Sequence, residues 1–194
     1  MATWRDVSMI AAGLPEAEEH SAYGMPAWGV RGKHFCWERP LTGRDRRDLG
    51  EARARELDGP TLGVRVADQE EKTALLGEAG ETPFFTIPHF EGWPGLLVRL
   101  ELIDVARLRE VVTDAWFVVA PVKLAHEHDL ELVISGVRPG LPTAIGTAAT
   151  RALEAAGYRD LQDLVDLPEK SLTALHGVGP KAARILLDAV QRRT

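Results

Sequence analysis

Near the C-terminal end of the chain, Leu175-His176-Gly177-Val178-Gly179-Pro180-Lys181 places two glycines and a proline directly ahead of a helical pattern. Glycine tolerates backbone conformations closed to other residues and lets a second backbone come close. Proline suits the first turn of a helix, where its missing N–H costs nothing. The amides around residues 177–181 are therefore expected to face outward at a helix N-terminus, a place that favours anions. Lys181 adds a mobile positive charge beside them, and Arg184 lies one turn further on. A DNA phosphate is the anion that fits this chemistry. The plainer reading of the glycines is a tight turn between two helices, in which they serve packing alone. Lys181 and Arg184 weigh against it.

The arrangement occurs twice. Ile145-Gly146-Thr147-Ala148-Ala149-Thr150-Arg151-Ala152-Leu153 matches Val178-Gly179-Pro180-Lys181-Ala182-Ala183-Arg184-Ile185-Leu186 at a constant offset of 33 residues. The glycine, the central alanine, the arginine and the final leucine coincide, and each copy opens a helix. Two similar helix pairs sharing one core account for this. In the first copy Thr147 and Ala148 stand where the second has Pro180 and Lys181. Phosphate contact there would rest on Thr147, the amides beside Gly146, and Arg151. The candidate DNA-binding set is thus Gly177, Val178, Gly179, Lys181 and Arg184, with Gly146, Thr147 and Arg151. Within it, Val178, like Ile145, reads as a core plug more than as a contact.

Other reactive residue types are present without the patterns that would make them work. His89 lies in the segment 84–95 among four large aromatics, two prolines and two glycines, with no nucleophile or metal cluster near it in sequence. A structural hydrogen bond or a binding role fits it better than catalysis. His126 and His128, with Glu127 and Asp129, are too crowded for metal-ligand spacing. The one cysteine, Cys36, can form no intrachain disulfide and reads as a buried thiol. No phosphate-binding Walker loop, dinucleotide glycine pattern or serine elbow occurs. Neither a catalytic set, a metal nor a cofactor is expected.

The elements that must hold these residues follow from periodicity and punctuation. Residues 136–143 put two prolines and two glycines in eight positions, the best boundary in the chain. It separates a domain of about 1–130 from one of 140–194. In the first, residues 6–13 predict a short helix, and 27–30 and 34–38 two strands around the turn Arg31-Gly32-Lys33. Residues 44–58 read as a polar helix turn or a loop, 61–66 as a strand, and 67–76 as a helix capped by Asp68, with a break at 77–83. Residues 96–102 are the clearest strand, with Leu96, Val98, Leu100 and Leu102 on one face. Asp104 then caps a helix striped by Val105, Leu108, Val111, Val112, Ala115 and Trp116. A helical layer on an antiparallel sheet is the economical architecture. Past the boundary everything is helix: 144–156, 160–165 with Asp160 and Asp163 in a capping-box relation, 168–175, and 181–192.

At 194 residues, 45% hydrophobic and 27% charged, the composition excludes fibrous, disordered and disulfide-framework classes. The net charge of −6 argues against a generally basic nucleic-acid binder. The charge is uneven, however. Residues 1–138 carry 16 Lys or Arg against 23 Asp or Glu, and residues 139–194 carry 7 against 6. All five Trp and all five Phe lie at or before Phe117. No apolar run approaches the ~20 residues that cross a bilayer. With no signal-like N-terminus, a cytoplasmic, membrane-free protein is expected.

Two resemblances sharpen these expectations. The phrase from Leu175 to Ala182 resembles the helix-hairpin-helix family, and residues 140–194 look like small tandem hairpin domains such as the C-terminal domain of the bacterial RNA polymerase alpha subunit. That resemblance implies sequence-tolerant grip on the sugar-phosphate backbone. In the first domain, Leu14-Pro15-Glu16-Ala17-Glu18-Glu19, Gly24-Met25-Pro26-Ala27-Trp28, Gly32-Lys33-His34-Phe35-Cys36-Trp37, the run 84–100, Ala115-Trp116 and Ala120-Pro121-Val122-Lys123-Leu124 resemble the MmcQ/YjbR-like family. This implies an α+β chain: a two-layer α/β domain, similar to frataxin and to type III secretion chaperones, followed by a small all-α domain. The expected function is non-enzymatic DNA binding. The alternative is a protein-interaction module, with the α/β domain as scaffold. If the first domain also touches DNA, Arg31, Lys33 and Lys123 are its basic candidates. The Arg44, Arg46 and Arg47 cluster reads as a solvated loop.

Overall fold

A computed structural model describes residues 1–78, 81–134 and 140–193. Its first part is a six-stranded, wholly antiparallel sheet in the order β1-β2-β3-β4-β6-β5. The strands are β1 (Ala17–Ala22), β2 (Met25–Val30), β3 (Lys33–Glu38), β4 (Thr61–Arg65), β5 (Phe84–Phe85) and β6 (Gly95–Arg99). Arg31 and Gly32 both take positive φ, 48° and 78°, between paired Val30 and Lys33. That two-residue turn matches the twist of a hairpin and explains the glycine. Strand β1 was not expected from its sequence, Ala-Glu-Glu-His-Ser-Ala. It is an edge strand, and charges on an edge keep it from pairing with other chains.

One face of the sheet carries the main core. Helix α1 (Trp4–Ala12), capped by a Thr3–Asp6 box, and helix α5 (Val105–Val119), capped by Asp104, pack there. The α5 stripe is buried as expected at Leu108, Val111, Val112, Ala115 and Trp116, and only Val105 is exposed. The Trp116 indole N–H donates to the Pro15 carbonyl at 3.0 Å, tying α5 to the turn before β1. The strand expected over 96–102 stops at Arg99, and Leu100–Leu102 is a 3₁₀ turn.

The opposite face is also covered. Leu97 and Phe85 point there and join Leu41, Leu57, Ile87 and Phe90 in a second, smaller core, flanked by Trp37 and Trp93. Residues 44–58 take the helical of the two expected forms, as two short helices, α2 (Gly43–Leu49) and α3 (Glu51–Glu56). Thr42 and Asp45 close a capping box at the start of α2, and Arg39 pairs with Asp45 at 2.9 Å. Burial alone would raise the Asp45 carboxyl, but Thr42 and Arg39 outweigh it and hold it below its ordinary value. Helix α4 (Gln69–Leu76) begins at Asp68, whose side chain accepts from the Glu71 amide at 2.9 Å.

Helix α6 (Val122–Ile134), absent from the sequence reading, packs Ala125, Leu124 and Leu132 against the main core. Residues 136–139 of the expected boundary lie outside the described residues. The rest is helical: a 3₁₀ turn Thr143–Ile145, α7 (Thr147–Ala155), a 3₁₀ turn Leu161–Leu164, α8 (Glu169–Thr173) and α9 (Pro180–Arg193). Asp160 and Asp163 form the expected capping box. Helix 144–156 is interrupted at Gly146, whose φ of 82° separates the 3₁₀ turn from α7. Leu141, Ile145, Ala149, Leu153, Leu164, Leu172, Val178, Ala182, Ala183 and Leu186 make a core of their own. Each fully buried leucine there contributes about 1.5–3 kcal/mol. The chain is therefore a sheet-based α+β part followed by an all-α part.

Candidate functional site

The two repeated helix starts lie side by side. Gly177, with φ of 98°, has its α-carbon against the Ala148 carbonyl and the Ala152 methyl, where a Cβ would come within 3.1 Å of that carbonyl. Here glycine serves close packing of one repeat on the other. Ile145 and Val178 are both buried plugs in the helical core, so the Val178 side chain is turned away from any ligand.

Helix α7 begins without a side-chain cap, because Gly146 stands in the cap position. Its first amides need an acceptor from elsewhere. Asp114, on α5, supplies it: Thr147 N–H donates to Asp114 Oδ2 at 2.9 Å, and the Thr147 hydroxyl donates to the same oxygen. Glu71, on α4, lies over Gly146, where a Cβ would come within 2.7 Å of Glu71 Oε1. The other Glu71 oxygen accepts from the Ala67 amide at 2.5 Å. At the start of α9 a carboxylate is again close, through packing and not through a hydrogen bond to an amide. A Cβ on Gly179 would collide with the Asp68 carboxylate. Asp68 Oδ1 caps α4 while Oδ2 faces Gly179. The amides expected to face outward at 177–181 therefore begin at buried positions: Gly177, Val178 and Gly179 are all covered.

One turn into α7, Arg151 reaches Glu78 at 3.2 Å and Glu110 at 3.2 Å. Arg107 holds the same two carboxylates from the α5 side, Glu110 at 2.8 Å and Glu78 through a short contact. Two arginines and two glutamates thus alternate in a closed ring across the two parts of the chain. Lys181 and Arg184 are exposed.

Electrostatics records the crowding. Burial raises the Glu71 carboxyl to about 7, helped by neighbouring Asp114 and Asp68, while the Ala67 amide and Lys181 pull the other way. Three carboxylates in one place are unfavourable for each other. Two helix N-termini and a lysine make the place tolerable. The arrangement can hold anions against two helix starts, and it holds the chain's own.

The sequence reading brought together Gly146, Thr147, Gly177, Gly179, Lys181 and the two arginines, but it missed the acidic row opposite them. A signal was present: Arg107, Glu110 and Asp114 recur at helical spacing on the face of α5 away from the apolar stripe. The remaining candidates are scattered. His89 is exposed beside Phe90, and the His128 ring packs on Trp116 and Phe117. Asp129 accepts the Thr143 amide at 2.8 Å. Among the described residues no group of three or more His, Cys, Asp or Glu is placed to hold a metal ion. Cys36 is buried, which pushes its thiol well above its ordinary value. Arg46 is paired with Asp58 and Arg44 with Asp48, beside an open groove of about 560 Å³ between α2 and α3. No helix among the described residues is long and apolar enough to cross a membrane.

Comparison with known proteins bears on the first part. The YjbR family model matches residues 12–118. Uncharacterised proteins of Mycobacterium bovis and of two strains of Mycobacterium tuberculosis are each 43% identical over 124 residues, 64% of this chain and 93% of theirs. No solved structure matches. All six strands and nearly all of α5 fall inside the matched span, and α7 to α9 fall outside it. The chain belongs to the YjbR family and carries a helical part beyond the region that the family model covers.

Proposed function

We propose that the chain is a non-enzymatic, cytoplasmic DNA-binding protein. Its helical part acts as a tandem helix-hairpin-helix unit, similar to the C-terminal domain of the bacterial RNA polymerase alpha subunit, and grips the sugar-phosphate backbone without reading sequence. The carrying observation is that a carboxylate lies at both repeated helix starts, accepting from the Thr147 amide at the first and packed against Gly179 at the second. An anion is what these positions accept, and a phosphate oxygen presents the same acceptor chemistry. Lys181 and Arg184, exposed on the first turns of α9, supply cationic reach. The sheet part, with two helices on its larger core, is compatible with a frataxin-like or secretion-chaperone-like fold. The reading calls for no cofactor.

The test is anisotropy of a labelled 20-base-pair duplex titrated with the intact chain at low salt. Binding is expected to tolerate changes of sequence and to weaken as salt rises. Lys181→Glu with Arg184→Glu should weaken it about tenfold or more, since each reversal turns an attraction for phosphate into a repulsion. Unchanged affinity in that double variant would remove these residues from the interface.

The same seated carboxylates favour a second reading, in which the helical part is a protein-docking module that uses its helix starts to hold acidic side chains. That reading expects no anisotropy change with duplex or single-stranded DNA even at low salt.

A further inference from the structure

We propose that Asp68, Glu71 and Asp114 act as an intramolecular stand-in for DNA phosphate, closing the helical part's binding face until a nucleic-acid backbone displaces them. This inference rests on the backbone-binding reading above and adds its regulation. Three independent contacts carry it. Asp114 takes the Thr147 amide and hydroxyl, Glu71 lies over Gly146, and Asp68 lies over Gly179. These are the two repeated positions at which a phosphate would have to sit, and one residue set cannot serve both occupants. Arg151, the cation of the first repeat, is likewise taken up by Glu78 and Glu110.

The contact is built to be displaced. Three acids crowd one site, two of them buried, and their mutual repulsion is relieved as soon as the helical part lifts away into water. Phosphates arriving on a polymer would then occupy the helix starts at spaced positions. A closed face also makes the measured affinity weaker than the intrinsic one, by the reciprocal of the open fraction.

The experiment compares the intact chain with two opened forms, Asp68→Asn/Glu71→Gln/Asp114→Asn and the milder Glu78→Gln/Glu110→Gln. A control, Glu18→Gln/Glu19→Gln/Glu51→Gln, removes three exposed carboxylates that face neither helix start. Duplex affinity is read at fixed salt, and amide hydrogen exchange is read over the first turns of α7 and α9. Both opened forms should bind at least about threefold tighter, the triple form about tenfold, with faster exchange at those turns; tenfold corresponds to a face closed roughly 90% of the time. The control should shift affinity far less. A control that matches the triple form would overturn the proposal, reducing the effect to bulk charge. Faster exchange without tighter binding would overturn it too, while leaving backbone binding intact. If neither the wild type nor the opened forms bind duplex, the backbone reading itself fails and the closure proposal falls with it.

Discussion

Gly179 has no need of the left-handed region, so its lack of a side chain serves space and not backbone conformation. The space is filled by Asp68, whose other oxygen is committed to the start of α4. A methyl group at 179 would force Asp68 off that cap, at a cost of about 1 kcal/mol. Gly179→Ala is therefore expected to destabilise the wild type by about that amount in urea unfolding, and the Asp68→Ala background by much less. Additive losses would mean that Asp68 is not what the glycine makes room for. At this scale the glycines of the helical part were legible in the sequence as helix-start glycines, from the repeat at an offset of 33 residues and, at Gly179, from the proline that follows. Their acidic partners were not. Asp68 could be read as a cap, but Asp114 and Glu71 are ordinary helix-surface residues until a second body is laid across them, and no local pattern announces that. Val178 shows the converse, a residue inside the legible phrase whose side chain belongs to the core.

The strands and helices with strong periodicity, β2, β3, β6 and α5, were readable because burial on one face writes itself into alternate or three-and-four spacing. Elements were missed where that imprint is weak. Edge strand β1 is one-third acidic, and α2 and α3 are short and dense in arginine, with Leu49 and the C-cap Leu57 as the apolar contributions of this stretch to the second core. That second core also explains Gly63 in the middle of β4. The Trp37 indole lies flat enough on it that a Cβ would come within 2.5 Å of the ring. Overpacking of this kind costs roughly 1–3 kcal/mol. Gly63→Ala should lower the thermal midpoint by several degrees while leaving the α7 and α9 exchange rates alone. A neutral melt would show that Trp37 can move, and that the smaller core is looser than its geometry suggests.

For the molecule as a whole, Glu71 sets a pH dependence of definite sign. It is faced by Asp68 and the Ala67 amide at the start of α4, by Asp114 from α5, and by Gly146 and Lys181 from the helical part. Its folded value of about 7 lies above the ordinary 4.5, so the folded chain holds a proton that the unfolded chain releases. This contribution is full below about 4.5 and is lost as pH rises through about 7, to the order of 3 kcal/mol. Unfolding midpoints should fall from pH 5 to pH 8 and flatten in Glu71→Gln; parallel slopes would refute the assignment. Asp6, Glu16, Asp45 and Asp163, all held below their ordinary values, act only in more acidic solution. The ring of Arg107, Glu78, Arg151 and Glu110 has a different consequence. It joins a small helical core, which buries little by itself, to a larger sheet core. While the ring is closed the two cores are expected to share one calorimetric transition. Once it opens, the helical part becomes a separate thermal unit with a melting point of its own.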